Sequence, residues 1–204
     1  MGANAIETIL GGNDETFDAL RKDYFDNRIL VMNQGIDECV IEDFILFILK
    51  WNKEDKDIPV EKRKPIKLYI NSGGGDSIVA MQFVNTIKYS KTPIIGIGLS
   101  LVASAAFHIY IACKERVAFK DTILLMHDGE VVIQNSTSKA KDTMRFIDEV
   151  ERRTKQHVLD CTKIDEQFYD DHYDMELYLF SNEAKEYGIV DKIVGEDVDI
   201  DYIY

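Results

Sequence analysis

Three short segments carry residue types that together could cleave an acyl bond. Asn71-Ser72-Gly73-Gly74-Gly75-Asp76 follows the apolar run Leu68-Tyr69-Ile70, and a lone serine, Ser104, sits in Leu101-Val102-Ala103-Ser104-Ala105-Ala106-Phe107. A lone histidine closes the apolar Leu125-Met126-His127. Three glycines in a row cost backbone entropy and add nothing to a core, but they bare N–H groups that a ligand or another chain can approach closely. A donor loop, a hydroxyl and an imidazole are the components of acyl transfer through a serine nucleophile. Their order along the chain, with an acidic cluster last, differs from that of the chymotrypsin, subtilisin and α/β-hydrolase triads.

Each residue also has an ordinary use. A serine at a helix start commonly caps it, and a histidine at a strand end is commonly satisfied by backbone. The two uses of Ser104 are compatible, because a nucleophile at a helix N-terminus would share its space with the Ala105 N–H and the glycine loop. His108 is a competing imidazole; four residues after Ser104 on one helix, it is expected to pack rather than reach the hydroxyl.

The elements that must position these groups read as alternating strand and helix. Residues 1–20 are polar, contain Gly11-Gly12 and read as a flexible arm. Strands are expected at Arg28–Met32, Lys67–Asn71, Ile94–Leu99, Val117–Phe119 and Ile123–Met126. Helices are expected at Asp37–Trp51, Ser77–Ser90, Ser104–Ile111 and Ser138–Leu159, with a charged loop at Asn52–Lys64. The helix after the glycines would point its dipole at developing negative charge. Gly129–Gln134 reads as a strand with a free edge, to which an extended substrate could add, so Gly129, Val131 and Ile133, with Gly74, are candidate substrate-binding residues. Alternation of this kind implies an α/β fold with a mainly parallel sheet, residues 21–204 forming one domain.

Composition narrows the function. The 204 residues carry 24 basic and 37 acidic side chains, a net charge of −13, which argues against nucleic acid or an anionic membrane as partner. With 46% hydrophobic and 30% charged residues the chain is ordinary globular protein. No apolar run reaches membrane-spanning length, and the amino end has neither a signal-peptide nor a transit-peptide pattern. Three cysteines without a CxxC favour a reducing, cytoplasmic location. No metal-ligand spacing is present, and no cofactor is implied.

At this point the chain resembles a known family, the ClpP proteolytic subunits of ATP-dependent Clp proteases. Asn71-Ser72-Gly73-Gly74-Gly75 is similar to the family's Asn-Ser-Pro-Gly-Gly oxyanion loop, and Ala103-Ser104-Ala105-Ala106-Phe107 to its nucleophile segment. Leu125-Met126-His127 resembles its Val-Met-Ile-His, and Asn182–Asp191 its closing Glu-Ala-x-Glu-Tyr-Gly-Leu-Val-Asp. The four motifs fall in family order between about Arg28 and Val194, with 29 positions from Gly75 to Ser104. The resemblance implies a single-domain ClpP/crotonase-like superhelix of ββα units, with Ser104 as nucleophile, His127 as base, and Gly75 and Ala105 N–H groups as oxyanion hole. It leaves the triad acid open. Counting forward from Asp165-Glu166-Gln167 selects Asp171, with Asp170 and Asp174 as neighbours, whereas counting back from Glu183-Ala184 lands on His172. Gly73 stands where the family has proline, and Ser100 where it has glycine.

The resemblance further implies a serine endopeptidase acting on unfolded polypeptide inside stacked heptameric rings, a tetradecamer with the long helix at the ring–ring contact. An AAA+ unfoldase would feed it and use the ATP, since the chain has no GxxxxGK[ST] loop. The main alternative is a catalytically weak or inactive ClpP-like subunit of a mixed ring. A crotonase-type acyl-CoA enzyme would share the fold without needing Ser104 and His127, and a Ser–Lys peptidase would want a membrane anchor and a lysine, neither of which is evident.

Overall fold

Strand β3 (Ile94–Ala103) organises the molecule, because it changes partners half-way along. The computed structural model describes residues 14–134 and 136–204. Its first half pairs in parallel with β4 (Glu115–Phe119) through Ile95–Gly98, and its second half with β5 (Ile123–Met126) through Leu101–Ala103. On its other side lie β2 (Ile66–Ser72) and then β1 (Ile29–Met32), both parallel. β7 (Lys192–Val194) extends the sheet beyond β4. β6 (Leu177–Phe180) is the single antiparallel member, pairing with β5. The mainly parallel sheet expected from the sequence is therefore present, with two strands, β6 and β7, beyond the five expected.

Helices cover the faces of this sheet. They are α1 (Asp14–Asp26), α2 (Leu46–Glu54), α3 (Ser77–Tyr89), α4 (Ala105–Ile111), α5 (Thr137–Cys161), α6 (Glu166–His172) and α7 (Ser181–Glu186). β2 shows why one face packs: Ile66, Leu68, Ile70 and Ser72 are buried, while Lys67, Tyr69 and Asn71 alternate to the other side. The buried set joins Phe83 and Ile87 of α3 and Phe107 and Ile111 of α4 in the main core. On the opposite face Ile97 and Val117 are covered by Ile203, from a short 3-10 turn at Ile200–Ile203.

Three expectations need correction. The arm read at residues 1–20 is helical from Asp14 onward, as part of α1, and residues 1–13 lie outside the described ones. The charged stretch after residue 52 is not wholly loop, since α2 runs to Glu54 and a 3-10 turn spans Val60–Lys62. Gly129–Gln134 forms no strand. A strand needs a ladder partner for its N–H and C=O groups, and this segment pairs with none among the described residues. Among those residues no helix is long and apolar enough to cross a membrane.

Candidate active site

Strand register brings the candidate groups together. Ala103 of β3 lies opposite Leu125 of β5, and the Ser104 N–H donates to the Leu125 carbonyl at 3.0 Å. The next residues on the two strands are Ser104 and Met126, so Ser104 and His127 emerge side by side at the carboxyl ends of neighbouring parallel strands. Both line one cavity of about 670 Å³ between α3 and α5.

Ser104 is the N-cap of α4, at φ 55° and ψ −124°, and its hydroxyl makes no capping hydrogen bond. The ordinary role of a helix-start serine is thus unused. A non-glycine residue at positive φ costs on the order of 1–3 kcal/mol and persists only where its surroundings over-determine it. Here the turn is fixed by the Leu125 carbonyl on one side and by the burial of Ala103, Ala105 and Ala106 on both others. The result is a sharp strand-to-helix elbow that lifts the hydroxyl out of the sheet, similar to the nucleophile elbow of α/β-hydrolases.

The glycine loop packs backbone to backbone against this elbow. A Cβ added to Gly74, at φ 95°, would stand 2.6 Å from the Ser104 Cβ and 3.0 Å from the Ala105 nitrogen. One added to Gly75, at φ 148°, would stand 2.3 Å from the Ile36 carbonyl oxygen. Gly73 meets nothing within 4 Å, so glycine is not required there for space. The loop is also pinned, which offsets the flexibility that a third glycine would bring. Asn71 Oδ1 accepts from the Leu101 N–H at 3.2 Å, and Asn71 Nδ2 donates to Asn33 Oδ1 at 2.7 Å. The Ile36 N–H donates to the Gly74 carbonyl (2.9 Å), and the Asp76 N–H donates to the Ile36 carbonyl (2.8 Å). In such a parallel bridge the flanking groups are consumed and the central residue's own N–H faces the other edge. Gly75 therefore presents its N–H away from Ile36, on the side where β3 ends and α4 begins. The Ala105 N–H, at the first position of α4, has no partner within its helix. Behind the loop, Asp76 caps α3 by accepting from the Ile78 and Val79 N–H groups at 2.8 and 2.9 Å.

The third group is where sequence and structure part. Asp171 lies on α6, where its Oδ1 accepts from Gln167 Nε2 at 2.9 Å. Asp170 is engaged by Lys155 Nζ at 2.7 Å, and the His172 Nδ1 contacts the Phe168 carbonyl at 2.8 Å. The carboxylate within 4 Å of His127, among the described residues, is that of Glu176, with Oε1 3.4 Å from His127 Nδ1. Register explains it. β6 runs antiparallel to β5 with Leu177 opposite Met126, so the residue before Leu177 stands level with the residue after Met126. The Tyr178 hydroxyl donates to Glu176 Oε2, and this bond first, then the His127 contact, holds the Glu176 carboxyl below the usual range. The sequence signal for Glu176 was a carboxylate directly before the apolar run 177–180, visible only to a reading that recognised the run as a strand.

The cavity beside Ser104 has apolar walls from Ile78, Met81 and Val84 of α3 and from Phe146, Ile147 and Val150 of α5. Of the expected substrate-binding residues, Gly129 and Val131 line it from an irregular segment, whereas Gly74 packs under the elbow and Ile133 is not part of the lining. A hydroxyl nucleophile, a base and two N–H donors at the mouth of a pocket with apolar walls can perform acyl transfer on a side-chain-bearing carbonyl substrate.

A sequence model of the Clp protease family matches residues 12–197. The chain is 25% identical over 190 residues to the ATP-dependent Clp protease proteolytic subunit 2 of Treponema denticola, covering 92% of this chain and 91% of that one. It is 27% identical over 173 residues to the proteolytic subunit 3 of Synechococcus sp., covering 82% of each. The fold is similar to that of a ClpP1 N165D mutant from Listeria monocytogenes, with a TM-score of 0.75 over 91% of this chain and 99% of that one at 23% identity. A family match spanning nearly the whole sequence, on a fold shared with a solved relative, establishes that this chain belongs to the Clp protease family.

Proposed function

We propose that the chain is an active serine endopeptidase of the Clp type, cutting unfolded polypeptide inside a chamber of stacked heptameric rings fed by an AAA+ unfoldase. The observation that carries this reading is Ser104. It is held at positive φ on a strand-to-helix elbow, with a hydroxyl that caps nothing, and it faces the same cavity as His127. Ser104 Oγ attacks the scissile carbonyl while His127 Nε2 takes its proton. Glu176, at His127 Nδ1, fixes the tautomer and stabilises the imidazolium. The Gly75 and Ala105 N–H groups receive the oxyanion, and His127 returns the proton to the departing amine. Water, deprotonated by His127, then hydrolyses the acyl-enzyme. No metal or cofactor is needed in this scheme, and ATP is consumed by the partner.

A second reading, a structural subunit of a mixed ring, draws on one observation. The His127–Glu176 contact is 3.4 Å long and Glu176 is 59% exposed, a looser orientation than a buried acid would give. Catalytic hydrogen bonds are often long before substrate binds, so fluorophosphonate labelling decides between the two. The expected result is one adduct, located on Ser104, with Ser104→Ala removing both label and peptide hydrolysis by about 10⁶ in rate. An intact assembly that takes no label would support the structural subunit, and hydrolysis undiminished in Ser104→Ala would overturn the nucleophile.

A further inference from the structure

His108 lies one helical turn beyond Ser104 on α4, so its side chain is on the same face, about 6 Å further along. It lines the cavity that Ser104 and His127 open onto. Its Nδ1 is sealed from solvent and has no hydrogen-bond partner. The backbone carbonyl of His108 is used, accepting from His157 Nε2 at 2.9 Å, but the ring is not. Phe107 packs edge-on to that ring at 5.5 Å between centroids. The cavity is mixed, with apolar side chains from α3 and α5 beside charged ones such as Lys88, Glu151 and Arg153, and a ring that lines it with no hydrogen bond of its own is a group that a bound side chain could engage.

We propose that His108 is a specificity-determining residue, forming a polar floor that selects glutamine as the side chain preceding the scissile bond. The inference rests on the serine-peptidase reading. Burial, with His157 and His127 nearby, pulls the His108 pKa down to about 3, so the ring is neutral at working pH and carries a single proton. A sealed N–H without an acceptor is rarer in proteins than an unfilled lone pair. The proton therefore belongs on Nε2, and because the ring lines the cavity while Nδ1 is sealed, Nε2–H is the polar group the ring can offer there. A matching side chain needs an apolar stem for the walls of Ile78, Met81 and Val150, a length near one helical turn, and an uncharged acceptor at its tip. Glutamine meets all three conditions. Leucine has no acceptor, asparagine is too short, and lysine is a donor only. Glutamate would have to shed its water beside Asp128, Glu130 and Glu151, whose charge Lys88 and Arg153 in the same lining offset only in part, whereas a neutral amide meets neither sign.

The test is kcat/KM for short peptides that differ only in that residue, glutamine or leucine, in the assembled wild type, His108→Leu and His108→Gln. A second measurement, on wild type alone, maps by mass spectrometry the bonds cut in an unfolded protein. Wild type is expected to favour glutamine in both measurements. His108→Leu is expected to lower the glutamine-to-leucine ratio by about tenfold, the worth of one such hydrogen bond, and His108→Gln, which keeps a donor, to hold most of it. Leucine preferred by a wild type that cleaves, or a ratio unmoved in His108→Leu, would overturn the role of His108 and leave the peptidase reading standing. Wild type that neither cleaves nor takes a fluorophosphonate label would overturn the peptidase reading, and this inference with it.

Discussion

The chemistry proposed for His127 depends on which carboxylate meets its Nδ1. Asp171 spends its Oδ1 on Gln167 one turn away on its own helix, whereas Glu176 stands 3.4 Å from the imidazole. Glu176→Gln is therefore expected to lower turnover by up to about 10⁴, through loss of the correct tautomer, while Asp171→Asn stays within a few-fold of wild type. Steady-state kcat on a short peptide checks this, and the reverse order of damage would return the acid to α6. The contrast shows what a sequence can reveal of such a site. Ser104 and His127 were legible from residue type and context, because each ends an apolar run whose strand character is local. Glu176 was not, because its place beside His127 is set by the antiparallel register of β5 and β6, a pairing between segments about fifty residues apart. A count along the chain inherits every insertion in between, and a register does not. His108 reads as a packing residue in the sequence, since the cavity its ring lines exists only once α3, α4 and α5 are assembled.

At the scale of elements, the stretch least well read was the charged segment after α2. It looked solvated, yet Asp55 within it is 1% exposed. Its carboxylate takes Arg28 Nη1 at 2.6 Å and Nη2 at 2.8 Å, and the Thr92 hydroxyl at 2.8 Å. This ties three connections together: the one entering β1, the one leaving α2 and the one entering β3. Arg28 itself sits at φ 59°. The hydrogen bond from Arg28 is the largest influence holding the Asp55 carboxyl below its usual value. A depressed folded pKa means that the stabilisation is complete above the unfolded value, about 4, and is lost as pH falls through the folded one. Asp55→Asn is expected to cost about 3–5 kcal/mol at neutral pH, because Arg28 is left largely buried without its partner. That deficit should shrink below about pH 4, where the wild-type carboxylate is itself protonated. Urea unfolding of both proteins across that range checks the sign, and a deficit unchanged at pH 3 would show that the ion pair is not its source. Charge density signalled solvent here because no local pattern marks one carboxylate among its neighbours as buried. β6 escaped for a related reason: its four residues alternate, and Tyr178 and Phe180 point outward.

For the whole molecule, several large apolar side chains on α5 and β6 are left exposed where a neighbouring subunit could cover them. Phe146 of α5 is 57% exposed, with Met144 near it, and β6 presents Tyr178 and Phe180 together with an outer edge that has no strand partner among the described residues. Unpaired edges and apolar helix faces bury against neighbours or aggregate, and a net charge of −13 disfavours uncontrolled association while leaving specific contacts possible. The expected outcome is a large ring assembly in sedimentation velocity at micromolar concentration, with β6 and α5 at subunit contacts. Phe180→Glu, which puts a charge on the exposed side of β6, should shift the protein toward small species. In that assembly the cavity beside Ser104 would open inward, so access rather than chemistry would limit the substrate. Short peptides should be cleaved unaided, and a folded protein only when an unfoldase and ATP are supplied. Monomers or dimers at micromolar concentration would remove the chamber. Rapid degradation of a folded substrate by the chain alone would remove the need for a partner, and steric exclusion would then cease to explain any preference for unfolded chains.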